Sequence, residues 1–130
     1  MTQEEILDYN KRCAEFLGAI YSKHADAWGF GNAVNIGSKK FDGIMYVDVI
    51  QAQRFEKDLK FDSDWNWIME LVEAIENKGY DVFINGLYCR ITDSGMTDLE
   101  IESGKVTSKK EAVVQAINQF LTWYNENKNN

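Results

Sequence analysis

Three kinds of side chain in this sequence have types that do chemistry: two thiols, one imidazole and a set of closely spaced carboxylates. Cys13 and Cys89 are distant in sequence and belong to no CxxC pair, and the lone His24 cannot complete a typical zinc site with them. The thiols read as small buried hydrophobes in a reducing compartment. His24 is either a general base or a charge placed at a helix C-terminus, and no serine, cysteine or carboxylate is visibly paired with it. The carboxylates are more suggestive. Asp98, Glu100 and Glu102 alternate with Leu99 and Ile101, which predicts a half-buried strand with a row of acids on its outer face. Such a row is a solvated edge that resists aggregation, a docking surface for a basic partner, or a divalent metal site. The metal reading is the weakest, because carboxylates two apart on a strand point in parallel and do not converge. No cofactor is implied.

A second candidate region is the stretch 25–43, where four glycines interrupt aromatic and basic residues. A phosphate-cradling loop needs its glycines between a buried strand and a helix start. Neither pattern flanks Gly29 and Gly31. Trp28 and Phe30 read as parts of a loop folded onto the core, with a short strand near Ala33–Ile36. With Lys39 and Lys40, the same residues are candidates for a ligand-binding loop.

Charge narrows the partners. Of the net charge of −7, residues 1–62 carry ten acids and eight bases, and residues 63–130 carry eleven acids and six bases. Within 61–104, ten acids face only Lys78 and Arg90. A field of that sign repels phosphates and anionic lipid, so direct nucleic-acid or membrane binding is not expected. A basic protein is the natural partner. With 130 residues, 45% hydrophobic composition, no membrane-length apolar run and no basic-then-apolar leader, the chain reads as a single cytoplasmic domain, 1–130.

The elements that position these residues follow from period and punctuation. Residues 3–24 predict a helix, opened by a Thr2/Glu5 capping box and carrying Ile6, Tyr9, Cys13, Phe16, Leu17 and Ile20 on its buried stripe. Residues 44–53 read as a strand, and 54–61 as a charged connection. The stretch 62–79 predicts a helix capped near Ser63 and ended by Gly79, with Trp65, Ile68, Leu71 or Val72, and Ile75 buried. Glu70, Glu73 and Glu76 lie off that stripe, and so does Trp67, a contact candidate. Asn85-Gly86 predicts a two-residue turn pairing Ile84 with Leu87, Phe83 with Tyr88 and Asp81 with Arg90. A last helix starts at Ser108, with Glu111 three residues on. The expected fold is α+β: three main helices and an antiparallel sheet of about four strands, near 44–52, 80–85, 87–92 and 97–103. The Phe83/Tyr88 face would be less apolar if only one sheet face were covered, which favours an α-β-α sandwich.

The segments AEFLG (14–18), SDWNWIMELVEAIE (63–76), the strand hairpin and KKEAVVQAINQFLTWYNEN (109–127) resemble the phage α-β-α sandwich family, over roughly half of the chain. The matching features are caps, turns and core aromatics, and they imply no catalytic residues. The resemblance implies a non-enzymatic bacteriophage or prophage accessory protein in a bacterial host cell. It would act by binding a host or phage protein through an acidic face, for example as an anti-defence inhibitor. The alternative is a small-molecule or nucleotide-signal binder using loop 25–43. Monomer and homodimer both remain open, an exposed Trp67 or Trp123 favouring the dimer.

Overall fold

Helix α1 (Gln3–Phe16) begins as its sequence requires. Thr2 Oγ1 accepts from the Glu5 backbone N–H, and Glu5 Oε1 accepts from the Thr2 N–H, both at 3.1 Å. It ends well before residue 24. Gly18 takes a φ of +116°, where side chains are strained, and the chain turns there into strand β1 (Ala19–Ser22). Ile20, expected on the helical stripe, is on this strand and 60% exposed. The buried face of α1 is Tyr9, Asn10, Cys13 and Ala14. The computed structural model describes residues 1–22, 27–30, 34–37, 39–41, 49–93 and 99–127, so His24 lies outside the described residues.

Strand β2 (Ala27–Phe30) pairs antiparallel with β1, Tyr21 opposite Trp28 and Ala19 opposite Phe30. Strands β3 (Val34–Ile36) and β4 (Lys39–Phe41) form a second hairpin, β3 lying where a short strand was expected. Helix α2 (Val49–Asp58) corrects the strand reading over 49–53 and the connection reading over 54–58, the rest of the expected strand, 44–48, lying outside the described residues. Ala52, Phe55 and Leu59 recur at helical spacing, and burial follows that period: Ala52 and Leu59 are buried, and Phe55 packs on Trp28 and Phe30. The β-branched Ile44, Val47, Val49 and Ile50 mask this period in the sequence. Residues 42–48 are not among those described.

The Lys60 carbonyl accepts from both Ser63 and Asp64 N–H groups, making the turn into helix α3 (Trp65–Asn77). Asp64, rather than Ser63, caps it: Asp64 Oδ1 accepts from the Asn66 N–H at 2.8 Å. Ile68, Leu71, Val72 and Ile75 are buried as expected. The two tryptophans exchange roles, however. Trp65 is 37% exposed, whereas Trp67 lies edge-on to Phe61, ring centroids 5.0 Å apart, and covers Gly37 so closely that a Cβ there would overlap the indole. Gly79, at φ +100°, follows the end of α3.

Strands β5 (Asp81–Asn85), β6 (Tyr88–Thr92) and β7 (Glu100–Glu102) form an antiparallel sheet in that order, in place of the four strands expected. Its hairpin pairs Asn85 with Tyr88, Ile84 with Cys89, Phe83 with Arg90, Val82 with Ile91 and Asp81 with Thr92. The turn is therefore Gly86-Leu87, not Asn85-Gly86, with Gly86 at φ +58° in the first turn position. This changes every partner by two residues, the side-chain period of a strand, so Val82, Ile84, Cys89 and Ile91 still share one face. Only Leu87 leaves that face, and it is 54% exposed in the turn. Helix α4 (Lys109–Asn127) starts where Ser108 Oγ accepts from the Glu111 N–H, and it packs on all three strands. Its Val113, Ile117, Phe120 and Leu121 are buried, with Cys89, Ile91 and Ile101 buried on the sheet. On the opposite sheet face Phe83 is 49% exposed.

The fold is α+β, with four helices and three small antiparallel sheets among the described residues. The chain divides into two compact units, Met1–Glu70 and Leu71–Asn130.

Gly37 and Gly86 both have left-handed backbones, but only Gly37 also lies under a ring. We expect Gly86→Ala to cost about 1 kcal/mol and Gly37→Ala about 2–4 kcal/mol, since overpacking adds to backbone strain. Urea unfolding of the two variants checks the difference, and equal costs would overturn the Trp67–Gly37 contact.

Candidate functional site

Burial separates the candidate residues. Trp28 is fully buried and Phe30 is 2% exposed, so neither offers a free ring to a ligand, and both are on a strand rather than a loop. The Trp28 indole N–H donates to Glu56 Oε1 at 2.9 Å, which also lies 3.9 Å from Lys11 Nζ. A buried indole donor needs such a partner, so this carboxylate completes the core. Lys39 and Lys40 are placed on β4 by their backbone, and their side chains are outside the described residues. Trp67 is a packing residue, held between Phe61 and Gly37. Trp123 is half-buried, its ring centroid 6.0 Å from that of Tyr80.

The thiols are not nucleophiles at neutral pH. Cys13 and Cys89 are both free and fully buried. Burial pushes the Cys89 thiol up to about 11 and Cys13 further still. Tyr9, beside Cys13, is also raised well above its ordinary value by burial, and its hydroxyl donates to the Phe61 carbonyl at 3.2 Å. Among the described residues, no three His, Cys, Asp or Glu side chains are grouped to hold a metal ion.

The acids of 61–104 occupy separate settings. Asp62 accepts from Asn10 Nδ2 at 3.0 Å, and Asp64 caps α3. Glu73 and Glu76 are exposed on α3, Glu70 is half-buried there, and Asp98 is outside the described residues. Glu100 and Glu102 project outward from β7 on either side of the buried Ile101, as their alternation predicts.

These last two join a surface that sequence reading only half identified. The outer face of the β5–β6–β7 sheet carries Phe83, Tyr88 and Arg90 as well as Glu100 and Glu102. The Tyr88 hydroxyl donates to Glu102 Oε1 at 2.8 Å, which raises the phenol above its ordinary value. Arg90 Nη1 lies 3.7 Å from Glu100 Oε1, replacing the Asp81–Arg90 pair expected from the other register. The Phe83 and Tyr88 rings meet edge to face, with centroids 6.3 Å apart. Phe83 is therefore a half-exposed aromatic braced by Tyr88, with carboxylates on the far strand. Strand parity alone puts it on this face. Leu87, at the tip of the hairpin, was missed because the turn was placed one residue early.

No protein-family model, curated protein or solved structure matches the chain. No described helix is long and apolar enough to cross a membrane.

The buried thiol sets a pH dependence. A group raised in the folded state favours folding below its unfolded value, near 9, and that contribution is lost as pH rises through the folded value, about 11. From pH 9 to 11 the unfolding free energy of the wild type should therefore fall by about 2 kcal/mol more than that of Cys89→Ala. Chemical denaturation at stepped pH measures this, and parallel curves would contradict a protonated, buried Cys89.

Proposed function

We propose that the protein is a non-enzymatic binder that takes a protein partner on the outer face of the β5–β6–β7 sheet. The observation that carries this reading is Phe83, 49% exposed in mid-strand on a face that also bears Tyr88, Glu100 and Glu102. Burying a Phe side chain is worth about 1.5–3 kcal/mol, so leaving half of it in water forgoes roughly 1 kcal/mol that a partner would recover. The exposed Arg90–Glu100 pair contributes less than about 1 kcal/mol to the fold, which leaves both groups free to re-pair. The matching partner presents an apolar side chain or pocket for Phe83, flanked by Lys or Arg for the two carboxylates. Aromatic anchors supply affinity in such interfaces, and charges supply steering and specificity.

The proposed setting, taken from the resemblance to phage α-β-α sandwich proteins, is a bacterial cytoplasm, and the proposed target is a basic host or phage protein. An anti-defence inhibitor whose carboxylates stand in for phosphates is one form of it. Here the tyrosine on Glu102 and the arginine beside Glu100 make the face an amphipathic docking surface more than a bare anion mimic.

Phe83→Ala and Glu100→Lys/Glu102→Lys should both leave thermal stability within about 1 kcal/mol of wild type, since these side chains are exposed. Pull-downs from bacterial lysate with the three proteins provide the test. Proteins held by the wild type should be lost from the charge-reversed variant and bound about tenfold more weakly by Phe83→Ala. Retention of the same proteins by both variants would defeat the proposal.

A further inference from the structure

The β5–β6–β7 sheet has two edges, and they are built differently. Among the described residues, neither β5 nor β7 has a strand on its outer side. β7 is blunted. It is 3 residues long, two of them glutamates, and the Glu102 carbonyl accepts from Gln119 Nε2 at 3.3 Å. β5 runs for 5 residues with one acid and with neither lysine nor proline.

The ladder decides which backbone groups β5 presents. The Cys89 carbonyl accepts from the Ser103 N–H, and the Cys89 N–H donates to Ser103 Oγ, both at 2.9 Å, so both Cys89 groups face the β7 side. Directly opposed residues of an antiparallel pair turn their N–H and C=O groups both toward each other or both away. Ile84, opposite Cys89, therefore turns its groups away from β6, and Val82 two residues back does the same. These groups form an open edge. The side chains of Val82 and Ile84 point inward but are only half-buried, whereas Cys89 and Ile91 beside them are fully buried, because α4 lies chiefly over β6. β5 thus offers another strand both its backbone and part of its apolar inner face.

The residues of β5 select the occupant. Asp81-Val82-Phe83-Ile84-Asn85 is nearly symmetric in kind about Phe83. Laid antiparallel to itself across a two-fold axis at Phe83, the strand sets Val82 opposite Ile84 of the second copy. Those are the residues whose N–H and C=O groups face outward, so a hydrogen-bonded pair forms on either side of the axis. The two Phe83 residues meet in the closer, non-hydrogen-bonded pair, and Asp81 lies opposite the Asn85 amide instead of another carboxylate. The same operation on β7 about Ile101 would set Glu100 against Glu102 on both sides of the axis, a like-charge clash.

We infer that β5 pairs with β5 of a second copy of this chain, joining the two sheets into one across a two-fold axis. The glutamate-bearing edges of β7 then end the joined sheet on both sides, so assembly closes at two. The pairing uses the strand edge and does not depend on a partner for the outer face, where it sets two Phe83 rings side by side.

Sedimentation velocity of the full chain should show a monomer–dimer equilibrium at tens of micromolar, since one strand pairing is a small interface. Asn85→Asp places a carboxylate opposite Asp81 of the second copy and should weaken the dimer about fivefold, whereas Asn85→Lys should tighten it by a similar factor. Asn85 is exposed, so both variants should keep the fold. Phe83→Cys, oxidised with glutathione disulfide, should cross-link into a covalent dimer, because a non-hydrogen-bonded pair holds its Cα atoms about 4.5 Å apart, within disulfide reach. The native thiols are buried and do not compete. Leu87→Cys, comparably exposed but off the axis, should cross-link about tenfold more slowly. A chain that stays monomeric up to millimolar concentration would leave the edge to a strand of another protein and overturn the inference. So would charge variants that fail to move in opposite directions, or equal cross-linking of the two introduced thiols.

Discussion

A β-strand has two faces, and in this protein one helix covers one of them. Helix α4 lays Val113, Ile117, Phe120 and Leu121 toward a sheet whose inward residues are Cys89, Ile91 and Ile101, with Val82 and Ile84 at its side. Period-two alternation then sends Phe83, Arg90, Glu100 and Glu102 to the other side without choice. The protein-binding reading depends on that division. A half-exposed aromatic on that side is a modest loss to the fold.

The Met1–Glu70 unit works under a different constraint, the satisfaction of buried polar groups. Trp28 finds Glu56, Tyr9 finds the Phe61 carbonyl, and the Asn10 amide nitrogen bridges Leu59 and Asp62. These bonds tie α1 and β2 to α2 and to the turn before α3 through side chains, where no shared sheet joins them. Aromatic contacts reinforce the same joints, Phe55 with Trp28 and Phe30, and Phe61 with Trp67.

Local rules written in a few adjacent residues were legible in the sequence. The Thr2/Glu5 box, the Ser108 N-cap, Val82, Ile84, Cys89 and Ile91 on one hairpin face, and Ile68, Leu71, Val72 and Ile75 on α3 appear as read, whereas Leu87 and Trp65 leave their buried sets and the Glu111 carboxylate accepts from Thr107 instead of closing a box on Ser108. Competing local signals were harder to read. Gly18 ends α1 by its φ, yet an apolar residue at the right spacing beyond it invited the helix to continue to 24. The helical period of Ala52, Phe55 and Leu59 was hidden behind the β-branched Ile44, Val47, Val49 and Ile50. Asn85-Gly86 and Gly86-Leu87 both satisfy a two-residue turn, and sequence alone does not choose between them. Of the functional candidates, the outward carboxylates of β7 were readable from alternation. The roles of Trp28 and Trp67 were not, because an aromatic near glycines looks alike in a binding loop and in a core. Asn10 carried a signal that could have been used: it is an amide within a helical stripe otherwise made of Tyr9, Cys13 and Ala14.

The four tryptophans give the molecule built-in optical labels. Trp28 is sealed in the interior with its N–H on a carboxylate, Trp67 is wedged against a phenylalanine, Trp65 is 37% exposed, and all three belong to Met1–Glu70. Trp123 alone reports from Leu71–Asn130, within a cluster of Tyr80 and Phe120. Intrinsic emission is thus weighted toward one half of the chain. A Trp123-only version, with phenylalanine at the other three positions, would make the half that carries the sheet visible by its own light.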